Sequence, residues 1–311
     1  TYAYSDDFSY YAAGVPSAVN GFLLQRDMKH VFPFYIDYYH TQYDTRETYN
    51  GAVMDFNIKY YGALAMYIDQ NPALYLDFTA QYTRISQAMH EGVLVQAGVD
   101  TKEFRAALEE LRAASAAMKA RILAVNGDYE KACEVGDEAA MDGLRTQGRA
   151  LTAKNLAAFR FAQKHLLGLM NEQPIVPHEA PQETIELCEA VIECLQRGDP
   201  ATAVDDYALT VNNVLERYAM YFSPEVIAVQ DHMVWGAENQ DNLYWGTDIN
   251  FKKADVDAAT RSLYRRYHDA GGDFSEEIAV YRRAIAAEKT KLRQSCEAEA
   301  AAMRQLAEML K

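Results

Sequence analysis

The pattern of hydrophobic and polar positions changes near residue 50 of the chain. Before that point no helical period is visible, and an apolar stretch over residues 15–24 follows the Gly14-Val15-Pro16 turn, which predicts a buried strand. After that point apolar residues recur every three or four positions, which predicts a series of amphipathic helices. We therefore expect a mainly α chain with a short non-helical segment at its start.

Caps, glycines and prolines set the expected ends of these helices. Residues 171–182 hold three prolines and are expected to form a loop, and residues 223–253 are expected to be irregular. The predicted helices cover residues 50–70 with Asn50 or Thr48 as the N-cap, 74–96, the segment from Asp100 or Thr101 to Asn126-Gly127, 144–170, 184–196, 200–222, 254–270 and 275–310.

The third predicted helix carries a seam of apolar residues at alternating steps of four and three, which is typical of coiled coils. Such a seam either packs inside the core of its own chain or pairs two copies across a two-fold axis. We expect a homodimer. The seam consists of Phe104, Leu108, Leu111, Met118, Ile122 and Val125, with Ser115 in the one missing slot.

Composition narrows the class of protein. With 311 residues, half of them hydrophobic, the chain has one or two domains with a packed core. A net charge of −15 argues against nucleic-acid binding. The chain contains no run of 18 apolar residues, the length that would predict a membrane span. Cys188 and Cys194 lie about 9 Å apart on one predicted helix, too far for a disulfide. The cysteines therefore do not indicate in which cellular compartment the protein lies.

The segment Tyr38-Tyr39-His40-Thr41-Gln42-Tyr43-Asp44-Thr45 carries the most specific chemistry. An imidazole is a common metal ligand, and a carboxylate four residues later could orient it through its second ring nitrogen. Asp44 could equally cap the following helix. A single histidine is more often structural or solvated, so the interpretation of His40 depends on its surroundings.

Together with Ser5-Asp6-Asp7-Phe8 and Gly14-Val15-Pro16, this segment resembles the end of the catalytic domain of the di-zinc exopeptidases. That family includes glutamate carboxypeptidase II, the transferrin receptor and many bacterial aminopeptidases. The resemblance covers residues 4 to about 70 and continues more faintly towards the C-terminus. It implies that residues 1–70 are the C-terminal tail of an α/β catalytic domain, and that the chain is the C-terminal part of a longer protein.

The same resemblance implies that residues 71–311 form a helical domain of the kind used for dimerisation, with a possible insertion at residues 127–200. In the family, a Leu-Glu-Arg helix is followed by an irregular segment and a further helix. Here Leu215-Glu216-Arg217 is followed by His232 and by Asn242-Leu243-Tyr244-Trp245-Gly246.

The family assigns a role to several residues. His40 would be the last of five zinc ligands, and Tyr39 would donate a hydrogen bond to the oxyanion of the tetrahedral intermediate. We choose Tyr39 over Tyr38 because it adjoins His40. The other four ligands and the catalytic Glu are not found in this chain, so we expect two zinc ions in the longer protein and none held by this chain alone.

The substrate site is implied by the same resemblance. Ser5, Asp6 and Asp7 would line it, although Ser5-Asp6 is also a good helix N-cap. His232 and Tyr244 would belong to the part of the pocket that the helical domain closes. Glutamate carboxypeptidase II has a Lys-Tyr pair where this chain has Leu243-Tyr244, which puts specificity for glutamate in doubt.

We expect the longer protein to hydrolyse a terminal peptide bond, as an aminopeptidase acting on peptides through a zinc-activated hydroxide. The expected partners are the peptide substrate, the missing N-terminal part of the same protein and a second copy of the chain. The family also suggests an extracytoplasmic location. One alternative is a non-enzymatic dimerisation module like that of the transferrin receptor. Another is an unrelated helical scaffold.

Overall fold

The computed structural model describes residues 10, 13–17, 38, 41–170, 173–211, 221–235 and 254–311. Within these residues the fold is mainly α, which confirms the prediction from the hydrophobic pattern. The helices are α1 (Gly51–Gln70), α2 (Thr79–Ala88), α3 (Glu91–Gln96), α4 (Thr101–Val135), α5 (Glu138–His165), α6 (Glu179–Gln196), α7 (Pro200–Thr202), α8 (Leu209–Val211), α9 (Pro224–Trp235), α10 (Asp257–Arg265) and α11 (Ser275–Leu310), with a π-helical segment at Ala203–Ala208 between α7 and α8.

Two short strands accompany the helices. β1 (Gly168–Met170) and β2 (Gln173–Ile175) form an antiparallel pair in which Gly168 lies opposite Ile175. Met170, predicted to extend a helix, therefore lies in a strand. Most of the predicted strand at residues 15–24 lies outside the described residues, so the expected remnant of an α/β domain stays a prediction.

The chain divides by its internal contacts into two compact units. The first contains Thr1–Ser17, Leu76–Arg121 and Ala153–Lys311, and the second contains Ala18–Tyr75 and Ile122–Thr152. The predicted boundary between residues 70 and 71 concerns the domains of the longer protein and stays a prediction.

The core of the first unit lies where α6 packs along α11. Val191, Val204 and Leu263 are fully buried there, and burial of such side chains stabilises a fold by about 1.5–3 kcal/mol each. Tyr281 is also fully buried, and its hydroxyl lies 3.0 Å from the hydroxyl oxygen of Thr260. The long helix α11 begins at Ser275 and ends at Leu310, as its sequence pattern predicts.

The second unit holds the chain that leaves α1 against parts of α4 and α5. The amide oxygen of Asn126 accepts a hydrogen bond from the backbone N–H of Ala73, and its amide nitrogen donates to the Ala73 carbonyl, both at 3.0 Å. The backbone N–H of Leu74 donates to the hydroxyl of Thr152 at 2.9 Å. These bonds satisfy a partly buried stretch of backbone that belongs to no helix.

The prediction that the third helix ends at Asn126-Gly127 is wrong, because α4 continues to Val135. The Asn126 side chain bonds to Ala73 and is not available to cap the helix. The helix ends instead at Gly136, whose φ of 72° is the left-handed conformation that glycine adopts most easily. Asp137 then accepts a hydrogen bond from the backbone N–H of Ala140 and starts α5.

The single helix predicted over residues 74–96 is two helices, α2 and α3, and a side chain explains the break. The amide nitrogen of Gln182 donates to the carbonyl of Ala88, and its amide oxygen accepts from the backbone N–H of His90, both at 2.9 Å. Gln182 thereby supplies partners for backbone groups that a helix end leaves free. It lies far away in sequence, so local pattern could not reveal it.

The starts of α6 and α9 also differ from the predictions. α6 begins at Glu179, five residues before the predicted Thr184, since the missing N–H of Pro181 costs nothing in a first helical turn. α9 occupies Pro224–Trp235 within the segment expected to be irregular. The backbone N–H of Ile227 donates to the carbonyl of Ser223, and proline just after such a residue is a favoured helix start.

The apolar seam of α4 is buried within this chain. Its residues from Phe104 to Val125, including Ser115, are at most 5% exposed. The seam is therefore core, and it does not provide the surface for the predicted homodimer, which stays a prediction without that support. Among the helices that the structure describes, none combines the length and hydropathy needed to cross a bilayer.

Candidate functional site

The candidate loop is described from Thr41 to Asn50, together with Tyr38. The carbonyl of Tyr38 accepts hydrogen bonds from the backbone N–H of Thr41 at 3.0 Å and from the Thr41 hydroxyl at 2.8 Å. The same hydroxyl accepts from the backbone N–H of Tyr43 at 3.2 Å. The Thr41 side chain is thus hydrogen-bonded to the backbone on either side of it, at Tyr38 and Tyr43, a local pattern that Thr favours in turns.

A 3₁₀ turn at Arg46–Thr48 connects this loop to α1. The Thr48 hydroxyl donates to the Asp44 carboxylate at 2.9 Å, and the Thr45 hydroxyl donates to the Glu47 carboxylate at 2.6 Å. The side chain of Asn50 then accepts from the first backbone N–H groups of α1, at 3.0 and 3.3 Å. These bonds between near neighbours in sequence hold the loop residues in place up to the start of α1.

These bonds bear on the two roles predicted for Asp44. The residue that caps α1 is Asn50, so Asp44 is not the N-cap of that helix. One carboxylate oxygen of Asp44 accepts from the Thr48 hydroxyl, which fixes the side chain within the loop. A carboxylate held in this way retains a second oxygen with which to orient a histidine. That role stays a prediction because His40 lies outside the described residues.

A surface cavity of about 500 Å³ lies beside this loop. Its lining combines phenol rings, hydroxyls and a carboxylate, from Tyr38, Tyr43, Thr45, Glu47 and Thr48. Tyr38 and Tyr43 are 39% and 61% exposed, so both rings reach solvent. The cavity can offer hydrogen-bond donors and an aromatic surface to a polar molecule.

Most predicted site residues lie outside the described part of the chain, namely Ser5, Asp6, Asp7, Tyr39, His40 and Tyr244. Two are described, Asp44 and His232. They belong to different compact units and each is described on its own. His232 lies on α9, where its side chain is exposed, and its role in binding substrate stays a prediction.

The first unit also holds a buried ionisable pair that was not predicted from the sequence, formed by His178 and Glu299. His178 is fully buried, and its Nδ1 lies 2.9 Å from a carboxylate oxygen of Glu299, which is itself 1% exposed. The ring also meets the ring of Phe104 edge to face, with 5.5 Å between centroids. The pair joins the start of α6 to α11.

The charge of Glu299 determines the protonation of this pair. Burial disfavours the imidazolium, but the charge and hydrogen bond of Glu299, helped by Glu179 and the backbone of Ala88, together raise the pKa of His178 above its ordinary value. The sequence did hold a signal for the pair. Glu299 follows Leu292 by seven residues and precedes Met303 by four, so it occupies the apolar stripe of α11.

Among the described residues, no group of three or more His, Cys, Asp and Glu side chains is arranged to hold a metal ion. All four cysteines are free thiols, and three of them are buried. Comparisons with protein-family models, with curated proteins and with solved structures find no match to this chain.

Proposed function

We propose that this chain is the C-terminal part of a zinc-dependent exopeptidase that removes a terminal residue from peptides, with aminopeptidase activity. The observation that carries the proposal is the segment Tyr38-Tyr39-His40-Thr41-Gln42-Tyr43-Asp44-Thr45, together with Ser5-Asp6-Asp7-Phe8 before it. Below, "the longer protein" means the polypeptide of which we propose this chain is the C-terminal part.

The described loop is compatible with this role. A metal ligand needs a chain around it that holds its position, and Thr41, Asp44 and Thr48 supply a network of short hydrogen bonds next to His40. The helical character of the chain after residue 70 also agrees with the helical domain that the family places there.

Each proposed role follows from the chemistry of the side chain. His40 provides one imidazole ligand, and Asp44 orients it. Tyr39 donates a hydrogen bond to the oxygen that becomes negative as the peptide carbonyl is attacked, which selectively stabilises the transition state. When bound, zinc supplies Lewis acidity to this reaction. Because one ligand cannot hold a metal pair, the chain alone is inactive in this proposal.

Hydrolysis of aminoacyl-anilides tests the proposal. The longer protein should release the anilide, and a chelator should abolish the release, whereas this chain alone should show no activity above background. Chelator-sensitive hydrolysis by this chain alone would contradict the proposed dependence on missing ligands. Lack of hydrolysis of any aminoacyl- or peptidyl-anilide by the longer protein would contradict the proposed activity.

A further inference from the structure

The second unit contains a surface cavity of about 210 Å³ whose walls are mainly polar. The end of α1 forms one wall, and α5 forms the wall opposite. Drug-sized ligands occupy pockets of about 300 Å³ or more, so this cavity suits a smaller molecule. Its lining consists of Asp69, Gln70, Pro72, Tyr129, Arg145 and Arg149.

Close contacts hold the two walls of this cavity together. Gly148 precedes Arg149 on α5, and a Cβ at Gly148 would lie only 2.3 Å from the carbonyl oxygen of Pro72. Directly after Pro72, the backbone of Ala73 exchanges two hydrogen bonds with the Asn126 side chain, both at 3.0 Å. The backbone around the cavity is therefore already in place before a ligand binds, as is usual for small-molecule sites.

The α5 wall carries one guanidinium whose charge is balanced and one whose charge is not. Arg145 donates to the Asp142 carboxylate at 2.9 Å and to the Tyr129 hydroxyl at 3.1 Å. Arg149 donates to the neutral hydroxyl of Thr146 at 3.2 Å, and among the described residues no carboxylate forms an ion pair with it. The Tyr129 hydroxyl accepts from Arg145 and keeps its own proton to donate. This wall therefore offers a guanidinium and a phenol to an anionic group.

The α1 wall has the opposite charge. In the part of the chain that the structure describes, the Asp69 carboxylate forms no ion pair, although it lines the same cavity as Arg149. The last turn of α1 contains no basic side chain, so the carbonyl end of the helix adds a partial negative charge. Because the unbalanced charges of the two walls cancel, the cavity is complementary to a molecule that carries both charges, and less so to a simple anion.

We propose that this cavity binds a free α-amino acid in its zwitterionic form. The carboxylate of the ligand accepts hydrogen bonds from Arg149 and Tyr129, and its ammonium group donates to Asp69. The small volume and polar lining suit amino acids with short side chains, such as glycine and alanine. The site uses no residue of the proposed zinc site, so it goes beyond the proposed function and either proposal can fail without the other.

Titration of the 311-residue chain with glycine, followed by NMR at the amides around the cavity, tests this proposal. Glycine should bind with a Kd below about 10 mM. Acetate and methylamine each carry one of its two charges and should bind at least about ten-fold more weakly. The proposal is overturned if neither glycine nor alanine binds up to about 10 mM, or if inorganic phosphate binds more tightly than glycine.

Three variants locate the binding. Arg149→Gln and Asp69→Asn each remove one charge at an exposed position, so both should keep the helical circular dichroism of the wild type. Each should weaken glycine binding at least about ten-fold. Lys164→Gln removes a charge from an exposed position of α5 outside the cavity and should change the Kd by less than about two-fold. Loss of binding in Arg149→Gln alone would indicate a simple anion site, and equal weakening in all three variants would indicate non-specific attraction; either result would overturn the proposal.

Discussion

At the scale of single residues, Tyr39 provides the sharpest test of the proposed chemistry. In the longer protein, Tyr39→Phe should retain zinc but lower kcat by roughly 10- to 1,000-fold, because the oxyanion loses a hydrogen-bond donor. Tyr38→Phe is the matched control. The hydrogen bonds from Thr41 go to the backbone carbonyl of Tyr38, so phenylalanine keeps them. If instead Tyr38→Phe lowers kcat and Tyr39→Phe does not, the assignment within the pair is wrong.

The buried pair of His178 and Glu299 makes stability depend on pH. A histidine whose folded pKa lies above its unfolded value of about 6.5 stabilises the fold below that pH, and this contribution is lost as the pH rises through the folded pKa. The free energy of unfolding should therefore fall as the pH rises above about 6.5. Urea unfolding at several pH values measures this dependence.

A pair of variants on α11 assigns the effect to the correct carboxylate. In Glu299→Gln the charge beside His178 is gone, and burial then favours the neutral ring, so the fall in stability with pH should disappear or reverse. Glu297→Gln removes an exposed carboxylate two residues away and should keep the wild-type dependence. A wild-type dependence in Glu299→Gln would show that another group causes it.

At the scale of elements, the approach of α5 to the chain that follows α1 requires a glycine. A Cβ at Gly148 would lie 2.3 Å from the carbonyl oxygen of Pro72, so Gly148→Ala should destabilise the protein by about 1–3 kcal/mol. Gly143 lies on the same helix with nothing within 4 Å, and Gly143→Ala should stabilise by about 0.5–1 kcal/mol. Urea midpoints measure both, and a stabilised Gly148→Ala would contradict the close approach.

Elements with local signals were predictable from the sequence, and elements set by distant side chains were not. The ends of α11 and the cap at Asn50 follow from apolar periodicity and capping chemistry within a few residues. The break between α2 and α3 depends on Gln182, more than 90 residues away. The continuation of α4 depends on Asn126 bonding to Ala73 instead of ending the helix.

The candidate site shows the same division. The resemblance of its residues to the di-zinc exopeptidases predicts a metal-ligand loop, and the bonds of Thr41 and Asp44 add a local framework to that loop. The burial of His178 could not be inferred from its proline-rich surroundings, because it results from packing against Phe104 and α11. The apolar stripe of α11, with Glu299 in the place of an apolar residue, was the readable sign of a buried charge.

At the scale of the whole molecule, the chain combines a well-packed helical part with the helix α1, whose large hydrophobic side chains are exposed. A complete domain rarely leaves so much apolar surface in contact with water. The proposal that the chain belongs to a longer zinc exopeptidase accounts for both the exposed helix and the single candidate ligand. It also assigns the missing ligands to the rest of the longer protein.

The zinc content of the longer protein tests this claim most directly. Elemental analysis after dialysis should find two zinc ions per wild-type chain and about one in His40→Ala, while this chain alone should retain less than one. His232→Ala, which changes an exposed histidine of α9, should leave the zinc content unchanged. A longer protein that contains no zinc, or that keeps its full content in His40→Ala, would contradict the proposed site.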